Sequence, residues 1–527
     1  MSNPGPTSAD ESGRHSTPLR VRRVIAVGGC RGGAGSSTIA VNLAVYLVQL
    51  GRTVALVDAD PSGATLHTLL DVPFPSQAPD ADALGDAELA GHRTTVPGLV
   101  LIPQAYSTGS TVPLRPGRKV RWAQRLRHLE VDYVLLDLGA GTAPATLDLF
   151  LSADLGLCIT APDPPSIEAT YRFTRALYQR RLRRTLVKDR FKLRLLERAQ
   201  AELPPMPAPM ALVRELARYD TSLSELATNE LMHLRPRLVV NGVRLRTDGE
   251  LGPAMCDMAQ RYLGLSFEYL GHVEQDDSVW LSVVRRTPLL IDSPTSKSAR
   301  NIERIARRIM ALSTIPEGLR DVRLPLVPEE LTLYDVLWTH RGASDEEIRR
   351  AYKRQREIFQ PGSLPLVSLL TSEQLSAAQA ELEEAHDTLL DPLRRRAYDV
   401  SIFPEDEEDA PKRDVLVDTA LAAERAMLRQ ELTREIHAET EFTGKLLAKV
   451  RESLGIELEE IANHTKISAS HLRAIEAEQF ASLPALVYTR GFVQQVARYL
   501  RLDPAQVTRT YLRRMREWAA HRGEGSQ

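Results

Sequence analysis

The stretch Val24-Ile25-Ala26-Val27-Gly28-Gly29-Cys30-Arg31-Gly32-Gly33-Ala34-Gly35-Ser36-Ser37-Thr38 decides the fold of the first half of this chain. Val24 to Val27 form a short apolar strand that runs straight into a glycine-rich turn. Beyond the turn, Ile39, Leu43, Leu47 and Leu50 line one face of a predicted helix that Gly51 stops. Val54 to Val57 make the next strand, which ends in Asp58-Ala59-Asp60. Strand, glycine-rich turn, helix and strand form a βαβ unit with its phosphate-cradling turn in the expected place. Glycines let backbone N–H groups approach an anion closely, and the helix N-terminus adds the positive end of its dipole. The flanking strand and helix give a glycine-rich loop, weak evidence alone, its specificity.

Working outward, the 527 residues imply three or four domains at about 100–200 residues each. Hydrophobic residues at 43% and charged residues at 26% allow a core through most of the chain and exclude wholesale disorder. Aromatics at 5% give no compositional case for stacking on single-stranded nucleic acid. The formal charge of −2, from 67 basic and 69 acidic residues, excludes a uniformly basic nucleic-acid binder but leaves local basic patches open. Cys30, Cys158 and Cys256 are odd in number, far apart and form no CxxC. They speak against a disulfide scaffold or a cysteine zinc site and fit a reducing cytoplasm. Residues 1–20 are rich in Ser, Pro and Gly without an apolar segment, so a disordered tail is expected rather than a signal peptide. No run of 18 apolar residues is found. The expectation is a cytoplasmic protein, with polar or membrane-surface placement left open.

Further motifs follow in order. They are Leu135-Leu136-Asp137-Leu138-Gly139, Thr160 to Ile167, Val239-Val240-Asn241, Tyr269-Leu270-Gly271, and Asp277-Ser278-Val279 through Arg285 to Pro288 and Ser293 to Ser296. With the P-loop, residues 21–315 resemble the MinD/ParA family of P-loop ATPases, and most closely its FlhG-like branch, which positions and numbers flagella. The resemblance implies a mostly parallel sheet with helices on both faces, ATP with Mg²⁺, and a nucleotide-dependent homodimer. It implies that Gly32, Gly33, Ala34, Gly35, Ser36, Ser37 and Thr38 wrap the phosphates. Arg31 stands where the family has the lysine that crosses the dimer interface. Ser37 and the Walker-B residue Asp137 would hold Mg²⁺. Asp58 and Asp60 would serve the attacking water and the metal shell, and Asn241 would contact adenine.

The family places a second lysine where this chain has Ser36. Phosphoryl transfer depends on positive charge set against developing negative charge, and serine supplies neither charge nor reach. A charge-assisted hydrogen bond is worth about 1.5–3 kcal/mol in binding. Three readings follow: a pseudo-ATPase that binds nucleotide with turnover weak or absent, a weakly active ATPase in which Arg31 replaces the missing lysine, and a loop that is a structural relic.

Residues of about 172–235 exceed what the fold needs. Eleven Lys/Arg lie in 172–198 against Asp189 and Glu197, with Tyr178, Leu182, Leu186, Leu193 and Leu196 mostly at helical spacing. The reading is one basic amphipathic helix, either attached to anionic lipid or nucleic acid or packed on its own domain with a solvated basic face. Pro204 to Pro209 then break the chain, and Met210–Leu234 reads as helical again.

After a Pro-punctuated linker at 316–330, residues 331–400 resemble a DnaJ-type J-domain. The resemblance rests on Thr332 to Leu337, on Ser344 as N-cap before Asp345-Glu346-Glu347, and on Leu375 to Leu390 followed by Asp391 to Asp399. Where that family carries His-Pro-Asp, this chain has Gln360-Pro361-Gly362. No stimulation of a DnaK-type chaperone is expected, and the hairpin is read as a docking module or a spacer. Residues 401–441 read as an acidic linker and a charged helix.

Residues 442–516 carry the layout of a helix-turn-helix and resemble the cytoplasmic domain of RodZ, through Leu458 to Ala462, Lys466-Ile467-Ser468, Ser470 to Glu476, and Tyr488 to Phe492. Ser470, His471 and Arg473 would face a DNA groove or a protein partner, the latter being favoured. Only Arg473 is a good guanine reader, and Glu476 would repel phosphate. Residues 517–527 read as a tail. The fold class expected is therefore multidomain, an α/β P-loop domain followed by two all-α domains. The leading function is a bacterial scaffold or spatial regulator of polarity, division or motility machinery. The alternative from another class is a DNA-binding transcriptional regulator.

Overall fold

The computed structural model describes residues 23–60, 65–73, 91–103, 125–314, 331–403, 427–428, 432, 436–437, 440–484 and 486–523. The tail expected at 1–20, the linker at 316–330 and most of the charged helix expected within 401–441 fall outside these residues.

The first half is an eight-stranded sheet. Its strands are β1 (Arg23–Gly29), β2 (Val54–Asp58), β3 (His92–Arg93), β4 (Leu99–Pro103), β5 (Tyr133–Ala140), β6 (Leu155–Thr160), β7 (Arg237–Val243) and β8 (Glu268–Glu274). The order is β3-β4-β2-β5-β1-β6-β7-β8, parallel throughout except for the two-residue edge strand β3. The inner strands β1, β2 and β6 are buried along almost their whole length, which is why they read as apolar runs without alternation. Two apolar cores, one on each face, make this a sheet covered by helices on both sides. Helices α1 (Ser36–Gln49) and α2 (Leu66–Leu69) pack on one face; α3 (Pro144–Ser152) and α4 (Pro164–Leu186) pack on the other. Ile39, Leu43 and Leu47 bury as expected, but Leu50 is the C-cap of α1 and 45% exposed. The helix has already ended there, and Gly51 at φ 75° turns the chain away.

The insertion is four helices rather than the two expected. Helix α4 ends at Leu186, and α5 (Arg190–Ala201) restarts after Asp189, whose carboxylate accepts from the N–H groups of Phe191 and Lys192. Helices α6 (Pro209–Ala217) and α7 (Thr221–Met232) are likewise split by the N-cap Asp220, which accepts from Leu223 N–H. A capping carboxylate costs little to place in mid-sequence yet ends one helix and starts another. Tyr178, Leu182, Leu186 and Leu196 are buried in the domain core, and Tyr178 Oη donates to the Ala227 carbonyl at 3.0 Å. Arg180 grips Asp148 of α3 at 2.7 and 2.6 Å, and Arg181 pairs with Glu230.

The first domain is completed by α8 (Leu251–Leu263), α9 (Asp277–Val284), α10 (Leu289–Asp292) and α11 (Lys297–Thr314). A second unit follows, α12 (Leu333–Val336), α13 (Asp345–Ile358), α14 (Ser372–Leu390) and α15 (Pro392–Ile402). Capping boxes at Thr332/Asp335, Ser344/Glu347 and Thr371/Gln374 start three of these helices. The unit does not hang free. Ala254 and Met258 of α8 lie in the same core as Tyr334, Leu337, Ile348, Phe359, Leu382 and Leu389. Tyr171 Oη of α4 donates to the Pro365 carbonyl at 2.7 Å, and Arg354 pairs with Asp257 at 2.7 Å. Gln360, Pro361 and Gly362 remain exposed beside this junction.

The last unit comprises α16 (Gly444–Leu454), α17 (Leu458–Thr465), α18 (Ala469–Glu476), α19 (Leu486–Tyr499) and α20 (Pro504–Gly523) around Leu447, Ile461, Leu472, Ile475, Val493 and Tyr511. Lys466 at φ 59° makes the tight turn between α17 and α18. The expected tail from 517 is corrected: α20 continues to Gly523.

Candidate nucleotide site

The loop from β1 to α1 bends through Gly33 and Gly35, both at φ 87°, a region that side chains with a Cβ avoid. Gly35 is the N-cap of α1. No side chain caps this helix and its first turn carries no acid, so its leading N–H groups face outward as anion donors. Asn241, at the end of β7, donates from Nδ2 to the Ala34 carbonyl at 2.8 Å. A Cβ on Gly35 would stand 2.3 Å from that nitrogen. The loop is thus bolted to β7 across the intervening strand β6. Asn241, expected to contact adenine, has one amide hydrogen committed to the loop backbone.

Ser36 turns its hydroxyl back over Gly29, where a Cβ would lie 3.0 Å from Ser36 Oγ. Arg31 leans to the β6–α4 turn, with Nη1 3.2 Å from Asp163 Oδ1 and both side chains well exposed. Asp163 is also the N-cap of α4, accepting from Ser166 N–H and Oγ–H at 2.9 Å each. An exposed pair of this kind is worth about 0–1 kcal/mol, so Arg31 can leave it at small cost.

Three carboxylates meet beside the loop. Asp58 and Asp137 are neighbours in register on β2 and β5, both buried. Asp58 Oδ2 accepts from Leu66 N–H at 3.0 Å. The Asp60 carboxyl rests on Gly139, where a Cβ would come within 2.1 Å of Asp60 Cγ and φ is 64°. Burial pushes Asp58 up to about 7, against the pull of the Leu66 N–H and helped by the charge of Asp137. Burial likewise pushes Asp137 up to about 6, opposed by hydrogen bonds from Ser37 and the Gly139 N–H. The paired Ser37 hydroxyl and Asp137 carboxylate, with a second acid alongside, suit Mg²⁺, whose charge would relieve the cost of burying them. Among the described residues no group of three or more His, Cys, Asp or Glu side chains is placed to hold a metal ion. Mg²⁺ in such a site takes phosphate and water oxygens as its remaining ligands.

The helix-turn-helix surface differs. Ser468 caps α18, its Oγ 2.9 Å from both Ser470 Oγ and His471 Nδ1. The His471 ring lies 5.5 Å from that of Phe492. Arg473 pairs with Glu459 at 3.0 Å, and Glu476 is held by Arg451 at 2.7 and 3.1 Å. Ser470 and Arg473, expected with His471 to face a groove or partner, are exposed on α18, with Arg473 and His471 also bonded within the unit. Between 457 and 478, five glutamates stand against Lys466 and Arg473.

Comparison with known proteins finds two family models and several relatives. The ParA family model, described as an NUBPL iron-transfer P-loop NTPase, matches residues 20–179. Residues 20–179 belong to a ParA-family P-loop NTPase domain. A helix-turn-helix domain model matches residues 446–507. The chain is 24% identical over 291 residues to the antiactivator FleN of Pseudomonas aeruginosa, covering 54% of this chain and 86% of that one. It is 35% identical over 136 residues to the chromosome-partitioning ATPase Soj of Thermus thermophilus, covering 26% of this chain and 53% of Soj. The septum site-determining protein MinD of Pyrococcus horikoshii, solved with Mg-ADP, aligns at a TM-score of 0.36 and 18% identity over 56% of this chain and 98% of that one.

The ParA-family domain also holds contacts that the sequence reading missed. Leu66, bonded to Asp58, opens α2, whose Thr68 carbonyl accepts from Arg286 Nε at 3.3 Å, while Arg286 pairs with Asp71 at 2.8 Å. Arg286 follows α9, where Trp280 is 66% and Val284 58% exposed. The buried carboxylates of the ParA-family domain are therefore linked by a short chain of polar contacts to an apolar helix on its surface. Nothing in local sequence pairs Arg286 with Asp71. Asp163 was legible as a cap, since an Asp before Pro-Pro is a helix start signal.

Proposed function

We propose that this chain is a spatial regulator of bacterial polarity, division or motility machinery, built on a ParA-family domain that binds ATP with Mg²⁺ and turns it over weakly or not at all. One observation carries the reading. The backbone cradle, the Ser37–Asp137 pair and the acids Asp58 and Asp60 are all in place around a loop whose lysine position is Ser36. In this reading the first-turn N–H groups and Gly32 to Thr38 hold the phosphates. Ser37 and Asp137 hold Mg²⁺, which supplies charge neutralisation at the β- and γ-phosphates. Asp58 and Asp60 orient water, and Asn241 fixes the loop rather than reading the base. Nucleotide also promotes association with a second copy of the chain. The resemblance to FleN and Soj supports a regulator of placement or number over a metabolic enzyme. The Asp58–Leu66–Arg286 route supports a domain that reports its nucleotide state at its surface.

The C-terminal units serve as docking modules in this reading. The 331–403 unit carries Gln360-Pro361-Gly362 where a chaperone-stimulating hairpin needs His and Asp, so it activates no DnaK-type partner. The acidic balance around α17 and α18 favours a protein partner over DNA. Transcriptional control through DNA is the second reading, kept by the helix-turn-helix match at 446–507. Weak turnover with Arg31 in place of the lysine is the third, kept by its easily broken pair with Asp163.

Calorimetric titration with Mg-ATP of the chain and of Ser36→Lys, with mass followed by light scattering, tests the proposal. Binding and dimerisation by the natural chain, with turnover rising only in Ser36→Lys, is the expected result. Silence of both proteins towards Mg-ATP overturns it. Turnover lost on Arg31→Ala establishes the third reading instead.

A further inference from the structure

We propose that the corner joining α4 to α5 is a docking surface for anionic lipid bilayers, with Val187 and Phe191 as its inserting anchors. Val187 is 66% and Phe191 61% exposed, on either side of the capping residue Asp189. Single exposed apolar side chains are ordinary on soluble proteins. Two large ones within five residues, at the point where two helices turn, are not explained by the fold. The apolar faces of these helices are already satisfied by Tyr178, Leu182, Leu186 and Leu196 in the core.

The surrounding charge identifies the occupant. Arg183, Arg184, Lys188, Arg190, Lys192 and Arg194 crowd this corner, against Asp189 alone between 183 and 194. The Asp189 carboxylate is exposed but accepts two N–H groups of α5, whose positive helix end offsets its charge. One turn earlier the arrangement is opposite, since Arg180 and Arg181 are neutralised by Asp148 and Glu230. At the corner the hydrogen bonds of Arg183 and Lys192 among the described residues go to the neutral Gln200 and Ser222, which leave their charge in place, and Arg184 stands 3.9 Å from Asp148. Cations ringing apolar tips fit a surface with phosphates outside and hydrocarbon beneath, and long basic side chains reach the headgroups while their stems follow the anchors. A nucleic acid would use the cations but give Val187 nothing to contact.

The position suits this role. Helix α4 starts at the loop edge of the sheet and its 23 residues run back about 35 Å at 1.5 Å each, so the corner lies at the end of the domain away from the nucleotide site. A chain docked there presents its P-loop to the cell interior. The inference goes beyond the nucleotide reading and does not depend on it.

Sedimentation of the full chain with vesicles of phosphatidylcholine, with and without phosphatidylglycerol, tests it, each with and without Mg-ATP. Binding to the anionic vesicles alone, present in both nucleotide conditions and weakened by salt, is expected. Lys188→Gln and Arg190→Gln should each weaken it about fivefold, the equivalent of ~1 kcal/mol per basic residue. Val187→Ser with Phe191→Ser should weaken it at least about tenfold, by loss of the inserted apolar area. Both are exposed, so the thermal midpoint should not move. Phe191→Trp should show blue-shifted emission on vesicle addition. Equal binding to neutral and anionic vesicles, no emission shift, or a duplex DNA bound more tightly than vesicles and indifferent to the two serines would overturn the proposal.

Discussion

The glycine-rich loop and the helix-turn-helix would recognise a ligand through different groups, and the difference decides what a change of side chain does to each. At the loop the recognising groups are backbone N–H donors at the start of α1, so replacing a lysine by Ser36 removes one contributor and leaves the cradle. At α18 recognition of a duplex would rest on side chains, and two of the candidates have partners within the unit, Arg473 with Glu459 and His471 with Ser468. Where the backbone carries the chemistry, a substitution weakens a function. Where side chains would carry it, each must first leave a partner within the unit, at small cost for an exposed pair such as Arg473–Glu459.

The sharpest way to break this contrast is Gly35→Val. A side chain there meets Asn241 at 2.3 Å and sits at φ 87°, so Mg-ATP binding should be lost outright in calorimetry. Retained binding would mean that the backbone cradle is not what recognises nucleotide. Next in size is Arg451→Ala. Its guanidinium is 10% exposed and leaves Glu476 without its bidentate partner, so denaturant unfolding of the C-terminal unit should show a loss of about 3 kcal/mol.

The buried acids give the third prediction. Their folded-state pKa values, about 7 for Asp58 and about 6 for Asp137, lie above the ordinary value of 3.8. The folded state then binds more protons than the unfolded state between about pH 4 and 7, so stability is greatest below that window and falls as pH rises through it. With Mg²⁺ chelated, the thermal midpoint of the ParA-family domain should drop across that range, and Asp58→Asn should flatten the drop.

Smaller still is the gain from Ser36→Lys. A restored charge-assisted bond should tighten Mg-ATP by roughly 10- to 100-fold, the equivalent of about 1.5–3 kcal/mol. Smallest is Arg473→Ala. Its exposed pair with Glu459 should cost under about 0.5 kcal/mol of stability, and duplex binding by filter retention should not change. A large, sequence-dependent loss there would restore the DNA reading.

The loop, both flanking strands and the order of later motifs were legible because backbone chemistry demands particular residues at particular spacings. The helix-turn-helix was legible from its apolar spacing and the Ser468 cap, whereas the left-handed turn at Lys466 carries no glycine or asparagine to announce it. The break at Val187–Asp189 was hidden because the apolar spacing from Leu186 to Leu193 continues across it, and only the cap marks it. Contacts such as Asn241 with Ala34 and Arg31 with Asp163 join residues more than a hundred positions apart, so strand order had to be known first. The same holds for α8 under the second unit. Met258 reads as an ordinary core residue of the first domain, and only the assembled structure shows which domain it belongs to.

That shared wall sets an order of events during synthesis. Helix α8 emerges from the ribosome before the residues that cover Ala254 and Met258 have been made. Until the hairpin of α13 and α14 arrives, α8 carries an uncovered apolar strip. The two units therefore mature together, and a chain cut between them leaves each half with a surface meant for the other.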